Sequence, residues 1–198
     1  VEGARNVGKT FLIEQVLKYK TIKGYKFPYK EYYEMMFGNG IDQIGNPELF
    51  HLCIGYDLSF FDMVKKGIIK QDLIIDRSFL SHFVFAIQNG ASNPEDVEKK
   101  LKHLMEYQDI FKIIYIRGEN PTSDADRNKD NWVVYKKSVT EEIYDKYLDV
   151  LTNEYKTNIM YFENKFDTES IQSFINLFNT NYIAKDIIYK IKGFMNKI

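Results

Sequence analysis

The sequence predicts one α/β domain of three layers, a parallel sheet covered by helices on both faces. Three observations predict it. Apolar patterns of helical and strand period alternate along the chain, the order that builds a parallel sheet with crossover helices. Leu73-Ile74-Ile75 is a short continuous apolar run, as expected of a strand buried on both faces. A glycine-containing octet, Gly3-Ala4-Arg5-Asn6-Val7-Gly8-Lys9-Thr10, stands at the head of the alternation, immediately before a helical pattern. At 198 residues the chain is long enough to bury one sizeable core. No repeat, low-complexity tract or linker divides it, so residues 1–198 are expected to form a single domain.

The elements follow in order. Lys9 to Tyr19 reads as a helix with Leu12, Val16 and Leu17 on one face. Ile22 to Phe27 reads as a strand that Pro28 stops. Tyr29 to Gly45 is mixed, with Gly38-Asn39-Gly40 as a loop. Asn46-Pro47-Glu48 has the cap, first-turn proline and acidic residue of a helix start. That helix carries Leu49, Leu52, Cys53, Tyr56 and Phe60 and ends near Gly67. The Leu73 strand leads to Asp76-Arg77-Ser78, and a helix follows from Phe79 to Gln88, closed by Gly90. Asn93-Pro94-Glu95 opens the next helix, expected to run to about Tyr107. Ile110 to Ile116 is the following strand, and Gly118 to Asn131 is a polar loop. Trp132 to about Tyr155 is a long helix and Ile159 to Phe162 a strand. Helices from Thr168 and near Ala184 finish the chain.

The octet fits G-x-x-x-x-G-K-[ST] in full. The spacing has a physical basis. Glycines let main-chain N–H groups curl around a phosphate, and the helix that follows turns its positive end toward the anion. In such a loop Lys9 reaches the β- and γ-phosphates and the Thr10 hydroxyl ligates magnesium. Gly3 to Thr10 are therefore the expected ATP-binding residues. A loop of this kind normally follows a buried strand. Val1-Glu2 would be its last residues, with about 5–10 residues upstream supplying the rest.

Asp76 closes a buried strand, where it can hold the metal or its water together with Thr10. Arg77 would stand over the cleft at the C-terminal edge of the sheet. The bland reading is a structural Asp-Arg pair at a strand end; the octet tips the balance toward function. An arginine after the Asp, instead of a water-activating carboxylate, favours transfer to a substrate over hydrolysis. Tyr25-Lys26-Phe27-Pro28-Tyr29-Lys30-Glu31 offers rings to stack on a base and ammonium groups to hold a phosphate. A strand end with a solvated turn explains the same residues equally well.

With these motifs in place, the chain resembles the thymidylate kinase group of P-loop nucleotide kinases, close relatives of the deoxynucleoside kinases. The resemblance rests on the octet, Phe27-Pro28, His51-Leu52 on the next helix, Asp76-Arg77 with Ser81 five residues after the Asp, and the strand ending at Ile116 before an arginine-containing loop. It implies a P-loop NTPase fold of nucleotide kinase type that uses ATP and Mg2+. The lid loop would span about residues 118–131. Arg77 and a lid arginine, Arg127 first and Arg117 second, would join Lys9 around the transferred phosphoryl group. Lys26, Phe27, Pro28, Lys30, Glu31, Arg77 and Ser81 would contact the acceptor. Asn164, in Asn164-Lys165-Phe166 after the last strand, would lie where related kinases hold adenine. The chain departs from the family pattern at Arg5, where a carboxylate is usual, at Leu58, near the place of a helix arginine, and at Phe85-Ala86, in place of Tyr-Gln.

The expected activity is magnesium- and ATP-dependent phosphoryl transfer to a nucleoside monophosphate. A nucleoside hydroxyl as acceptor would need a base nearby, for which Glu31 or Glu34 is the candidate. A deoxynucleoside kinase acting on a 5′-hydroxyl is the nearest rival, followed by a regulatory ATPase module and a 5′-end polynucleotide kinase. Against the last, the net charge of −1 gives no pull toward nucleic acid. His51, His82 and His103 lack metal-ligand spacing. Cys53 reads as packing, and Lys99, Lys100 and Lys102 as a solvated helix face. A single cysteine suits a reducing cytoplasm, and no apolar run approaches the ~18 residues of a membrane span. The partner is thus a small nucleotide or nucleoside. The apolar and basic stretch Ile187 to Ile198 is suited to pack on the domain or on a second copy in a homodimer.

Overall fold

A computed structural model describes residues 1–4, 7–26, 47–118 and 137–178. They form helices α1 (Lys9–Tyr19), α2 (Pro47–Lys65), α3 (Phe79–Gln88), α4 (Pro94–Leu104), α5 (Lys137–Asn153) and α6 (Thr168–Asn176). Between them run strands β1 (Lys23–Lys26), β2 (Leu73–Asp76), β3 (Ile113–Arg117) and β4 (Ile159–Glu163). The chain is a mixed α/β structure with parallel strands. β1 pairs with β2, setting Lys26 level with Asp76, and β3 pairs with β4, setting Arg117 level with Glu163.

Val1 and Glu2 bond to both pairs. The Val1 nitrogen donates to the Ile75 carbonyl at 2.6 Å, and the Arg77 N–H donates to the Val1 carbonyl at 3.1 Å. On the other side the Glu2 N–H donates to Ile114 at 2.8 Å, and the Glu2 carbonyl accepts from Ile116 at 2.9 Å. Residues 1–2 therefore lie in the ladder between β2 and β3.

The period of two along β3 divides the core. Ile113 and Tyr115 point into one apolar cluster, with α2, α3, α4 and α5; Ile114 and Ile116 point into another, with α1 and α6. Helices thus cover the strands on both faces, as the alternation predicts. Each buried large side chain contributes roughly 1.5–3 kcal/mol against exposure, and Leu12, Val16, Phe83, Leu101 and Leu151 are fully enclosed.

Two helix starts carry side-chain caps. The Asn93 side chain accepts from the Asp96 N–H at 2.9 Å with Pro94 in the first turn, and the Asp167 side chain caps α6 at Ser170. Two described boundaries differ from the sequence reading by three residues. The fourth helix does not run on to Tyr107: it gives way at Met105 to a tighter 3₁₀ turn, Met105–Ile110. That turn keeps Met105 in the core and delays β3 to Ile113, three residues later than expected. Phe27, the expected loop at 38–40, residues 119–136 and the helix near Ala184 lie outside the described residues. Among the described residues no helix is long and apolar enough to cross a membrane.

Candidate functional site

The octet turns from the Val1-Glu2 segment into α1 under tight constraints. Gly3 has φ 143°, and a Cβ there would run into the Ile116 carbonyl oxygen. Gly8 has φ 80° and ψ 16°, a left-handed conformation that glycine adopts without steric cost. A Cβ at Gly8 would lie 2.5 Å from Asn164 Nδ2 and 3.1 Å from Phe166 Cε1. Ala4 and Val7 are buried between these turns. Among the described residues no side chain caps the N-terminus of α1, and its first turn holds no acidic residue. The positive end of the helix is therefore not neutralised by its own residues. Lys9 is 5% exposed, and its Nζ donates to the Ala4 carbonyl at 2.5 Å, so the ammonium lies folded over the octet. Arg5 and Asn6 lie outside the described residues.

Two motifs far apart in sequence meet beside this turn. Thr10 Oγ1 donates to Asp76 Oδ2 at 2.7 Å. The carboxylate is 4% exposed, and its other oxygen, Oδ1, is buried without a hydrogen-bond partner among the described residues. An unsatisfied buried carboxylate oxygen is costly, so a ligand for it is expected. A divalent ion or its water fits. Magnesium takes one or two carboxylates and fills its remaining positions with water and phosphate oxygens. Among the described residues there is no cluster of three or more His, Cys, Asp or Glu.

Arg77 follows in a conformation uncommon for a side-chain-bearing residue, with φ 69°. The Arg77 N–H bond to Val1 holds that turn. Its Nη1 donates to the Gly3 carbonyl and to Ser81 Oγ, each at 3.3 Å, and the guanidinium stands 5.2 Å over the Phe85 ring. Phe85, a departure from the family pattern, thus serves as the platform for this arginine.

Ser81 is placed differently from its expected acceptor contact. It is 1% exposed and its hydroxyl donates to Glu2 Oε2, with Tyr144 Oη 2.8 Å away. Glu2 is the residue that the sequence reading passes over. It is 3% exposed, and burial pushes its carboxyl above the usual range, opposed by the bonds from Ser81 and the Ser78 N–H. The signal was present: a carboxylate directly before Gly3, in a segment expected to be a buried strand, must find donors.

Asn164 is buried, and its amide is committed to the octet. Nδ2 donates to the Val7 carbonyl at 3.0 Å, and Oδ1 accepts from the Phe166 N–H at 3.0 Å. Asn164 braces the turn from outside. Phe166, with φ 60°, sets its ring against both Gly8 and Gly118. A residue held there costs of order 1–3 kcal/mol, and the ring flanks the octet on the β4 side.

Lys26 ends β1 level with Asp76 and is exposed. Phe27, Pro28, Lys30, Glu31, Glu34 and Arg127 lie outside the described residues. Arg117 is ion-paired with Asp145 on α5 and stacked over Tyr115, which holds it on the α5 side of β3. His51 is exposed on α2. His82 is buried against Asp57, Nε2 to Oδ2 at 3.2 Å; burial lowers the imidazole to about 3 and raises the carboxyl, so the pair is neutral. Cys53 is buried, and that burial pushes its thiol up to about 12. No protein-family model matches the chain, and comparison with curated proteins finds no relative.

Proposed function

We propose that this chain is a magnesium- and ATP-dependent kinase of P-loop fold that transfers the γ-phosphoryl group to a (deoxy)nucleoside monophosphate in the cytoplasm. One observation carries the reading. The glycine turn with its folded lysine meets, through Thr10 and Asp76, a buried strand-end carboxylate 66 residues away. The order β1, β2, residues 1–2, β3, β4 supports it, because the octet then leaves the middle of the ladder and faces the C-terminal ends of the strands.

In this reading main-chain N–H groups from Gly3 to Thr10 wrap the polyphosphate, and Lys9 exchanges the Ala4 carbonyl for phosphate oxygens. Thr10 and Asp76 would hold the magnesium ion, which neutralises charge on the phosphates. Arg77, fixed above Gly3, stabilises charge on the migrating group. Its guanidinium has five N–H donors, of which the two bonds described use one nitrogen. Such catalysis is positioning plus charge stabilisation. The acceptor assignment rests on the resemblance at Phe27-Pro28 and the lid, with Lys26, Lys30, Glu31 and Arg127 on that side.

The test is ADP release with Mg-ATP across nucleosides and nucleoside monophosphates, alongside calorimetric ATP binding. Turnover with a monophosphate, lost in Lys9→Ala, is the expected result. Turnover only with a nucleoside would move the assignment to a 5′-hydroxyl kinase. A dead panel with intact ATP binding would favour the regulatory ATPase. Turnover unchanged in Lys9→Ala would refute the reading.

A further inference from the structure

We propose that the Glu2 carboxylate is a positioning residue: through Ser81 it holds the Arg77 guanidinium over Gly3. It thereby sets the spacing between the octet and the Asp76-Arg77 turn, a role that rests on the kinase reading.

The case starts from cost. A carboxylate 3% exposed in a strand segment is expensive to bury, and an apolar residue would fill that place more cheaply. Glu2 is nevertheless fully provided for. The Ser78 N–H donates to Oε1 at 2.8 Å, Ser81 Oγ donates to Oε2, and Tyr144 Oη stands 3.5 Å from Oε2. The two donors to Glu2 come from the α3 start, and Tyr144 on α5 closes the cluster by giving its one hydroxyl hydrogen to Ser81; the cluster converges on the residue immediately before the octet.

Proton accounting then gives the network a direction. A serine hydroxyl has one hydrogen and two lone pairs. Since Ser81 donates to Glu2, its lone pairs accept, one from Arg77 Nη1 at 3.3 Å and one from Tyr144 Oη at 2.8 Å. The chain of donation runs from Arg77 to Ser81 to Glu2 and ends on the acceptor. Without that acceptor the Ser81 hydroxyl is free to turn, and Arg77 loses a fixed partner. The Arg77 main chain is held separately, by its N–H bond to Val1 at 3.1 Å. The relay therefore governs where the guanidinium points and not whether the turn forms.

A merely structural polar cluster, once broken, would loosen the whole turn and lower ATP affinity and turnover together. A positioning relay affects the step that Arg77 serves and leaves phosphate binding in place. Glu2→Gln keeps the volume and an acceptor for the Ser78 N–H but removes the charge; Ser81→Ala removes the link. Ser59→Ala, on the exposed side of α2, is the control. Each is compared with the wild-type chain in three ways: Mg-ATP affinity by calorimetry, kcat and KM with the accepted substrate, and the Arg77 Nε–Hε heteronuclear NOE. That NMR signal is assigned from its loss in Arg77→Lys.

Both relay variants should bind Mg-ATP within about two-fold of wild type. Their kcat should fall about ten-fold, and the Arg77 signal should lose its rigidity. An Arg77 signal as rigid as wild type, with kcat unchanged, would overturn the proposal. So would a loss of ATP affinity parallel to the loss of kcat, which is what a merely structural cluster gives. If Ser81→Ala folds poorly, Glu2→Gln decides. Should the wild-type chain fail to bind Mg-ATP, the kinase reading falls, and the Arg77 signal alone then decides whether Glu2 positions it.

Discussion

Replacing Gly8 with alanine perturbs the octet where it turns into α1, and the cost can be built from two parts. The first is conformational. Gly8 has φ 80° and ψ 16°, and holding an alanine in the left-handed region costs roughly 1–2 kcal/mol. The second is steric. The new methyl would lie 2.5 Å from Asn164 Nδ2, the atom that donates to the Val7 carbonyl at 3.0 Å. Displacing that amide leaves a buried carbonyl unsatisfied, at about 1–3 kcal/mol. Together the loss is about 2–5 kcal/mol, a large share of the ~5–15 kcal/mol typical of a domain. Thermal unfolding followed by circular dichroism should fall by roughly 2–4 °C per kcal/mol for a chain of this size. A double-mutant cycle isolates the steric part. Asn164→Ala alone should cost the hydrogen bond, and the double variant should cost less than the sum, because alanine at 164 leaves room for the methyl. If the octet binds Mg-ATP as proposed, the affinity should also drop in Gly8→Ala, since the turn that would receive phosphate is displaced. Strict additivity, or a Gly8→Ala chain with wild-type midpoint and affinity, would refute this account of the turn.

Gly55→Ala should do the reverse. Gly55 sits within α2, and a Cβ at that position would meet nothing within 4 Å, so alanine should stabilise the chain by about 0.5–1 kcal/mol, seen as a higher unfolding midpoint. The buried pair Asp57–His82 predicts a pH signature. In the folded chain the pair binds one proton, on Asp57, because burial raises that carboxyl and lowers the imidazole from 6.5 to about 3. The unfolded pair also binds one proton between 3.8 and 6.5, so its contribution to stability is flat there. Asp57→Asn leaves His82 alone, neutral when folded and charged when unfolded below 6.5. Its stability should fall with decreasing pH by about 1.4 kcal/mol per unit relative to wild type. Parallel pH profiles for the two chains in urea titrations would refute the neutral assignment.

Much of the fold was legible because its signals are local. α1 and α3 begin and end where periodicity and flanking residues place them, and Leu73-Ile74-Ile75 is a strand because an apolar run that short has few other uses. The start of β3 was misplaced because the 3₁₀ turn at 105–110 carries no periodic signature of its own; it follows from burying Met105 ahead of Phe111. In the candidate site, the octet and Asp76 were legible by spacing, but the Thr10–Asp76 contact depends on strand order, which no window of sequence contains. Ser81 was picked out by resemblance and given an acceptor contact, whereas its hydroxyl is committed to Glu2, 79 residues away. Glu2 itself needed Tyr144, 142 residues on, before its burial made sense.

The octet is held by two separate devices, and their separation gives the kinase reading its mechanical content. On one side Asn164 and Phe166 press against Val7 and Gly8, fixing the turn from which α1 departs. On the other, Glu2, Ser78 and Ser81 tie the approach to Gly3 into the start of α3, and Arg77 reaches back to the Gly3 carbonyl. The first device shapes the curl that would receive phosphate, so the chain meets its ligand with that turn already ordered. The second leaves the Val7-Gly8 curl alone; it aims the guanidinium that the kinase reading sets on the migrating group. Damage to the first should therefore appear in affinity, and damage to the second in turnover. If Asn164→Ala and Ser81→Ala instead moved both quantities in equal proportion, the two braces would be one cooperative unit. Arg77 would then owe its place to the stability of the whole turn and not to the carboxylate beneath it.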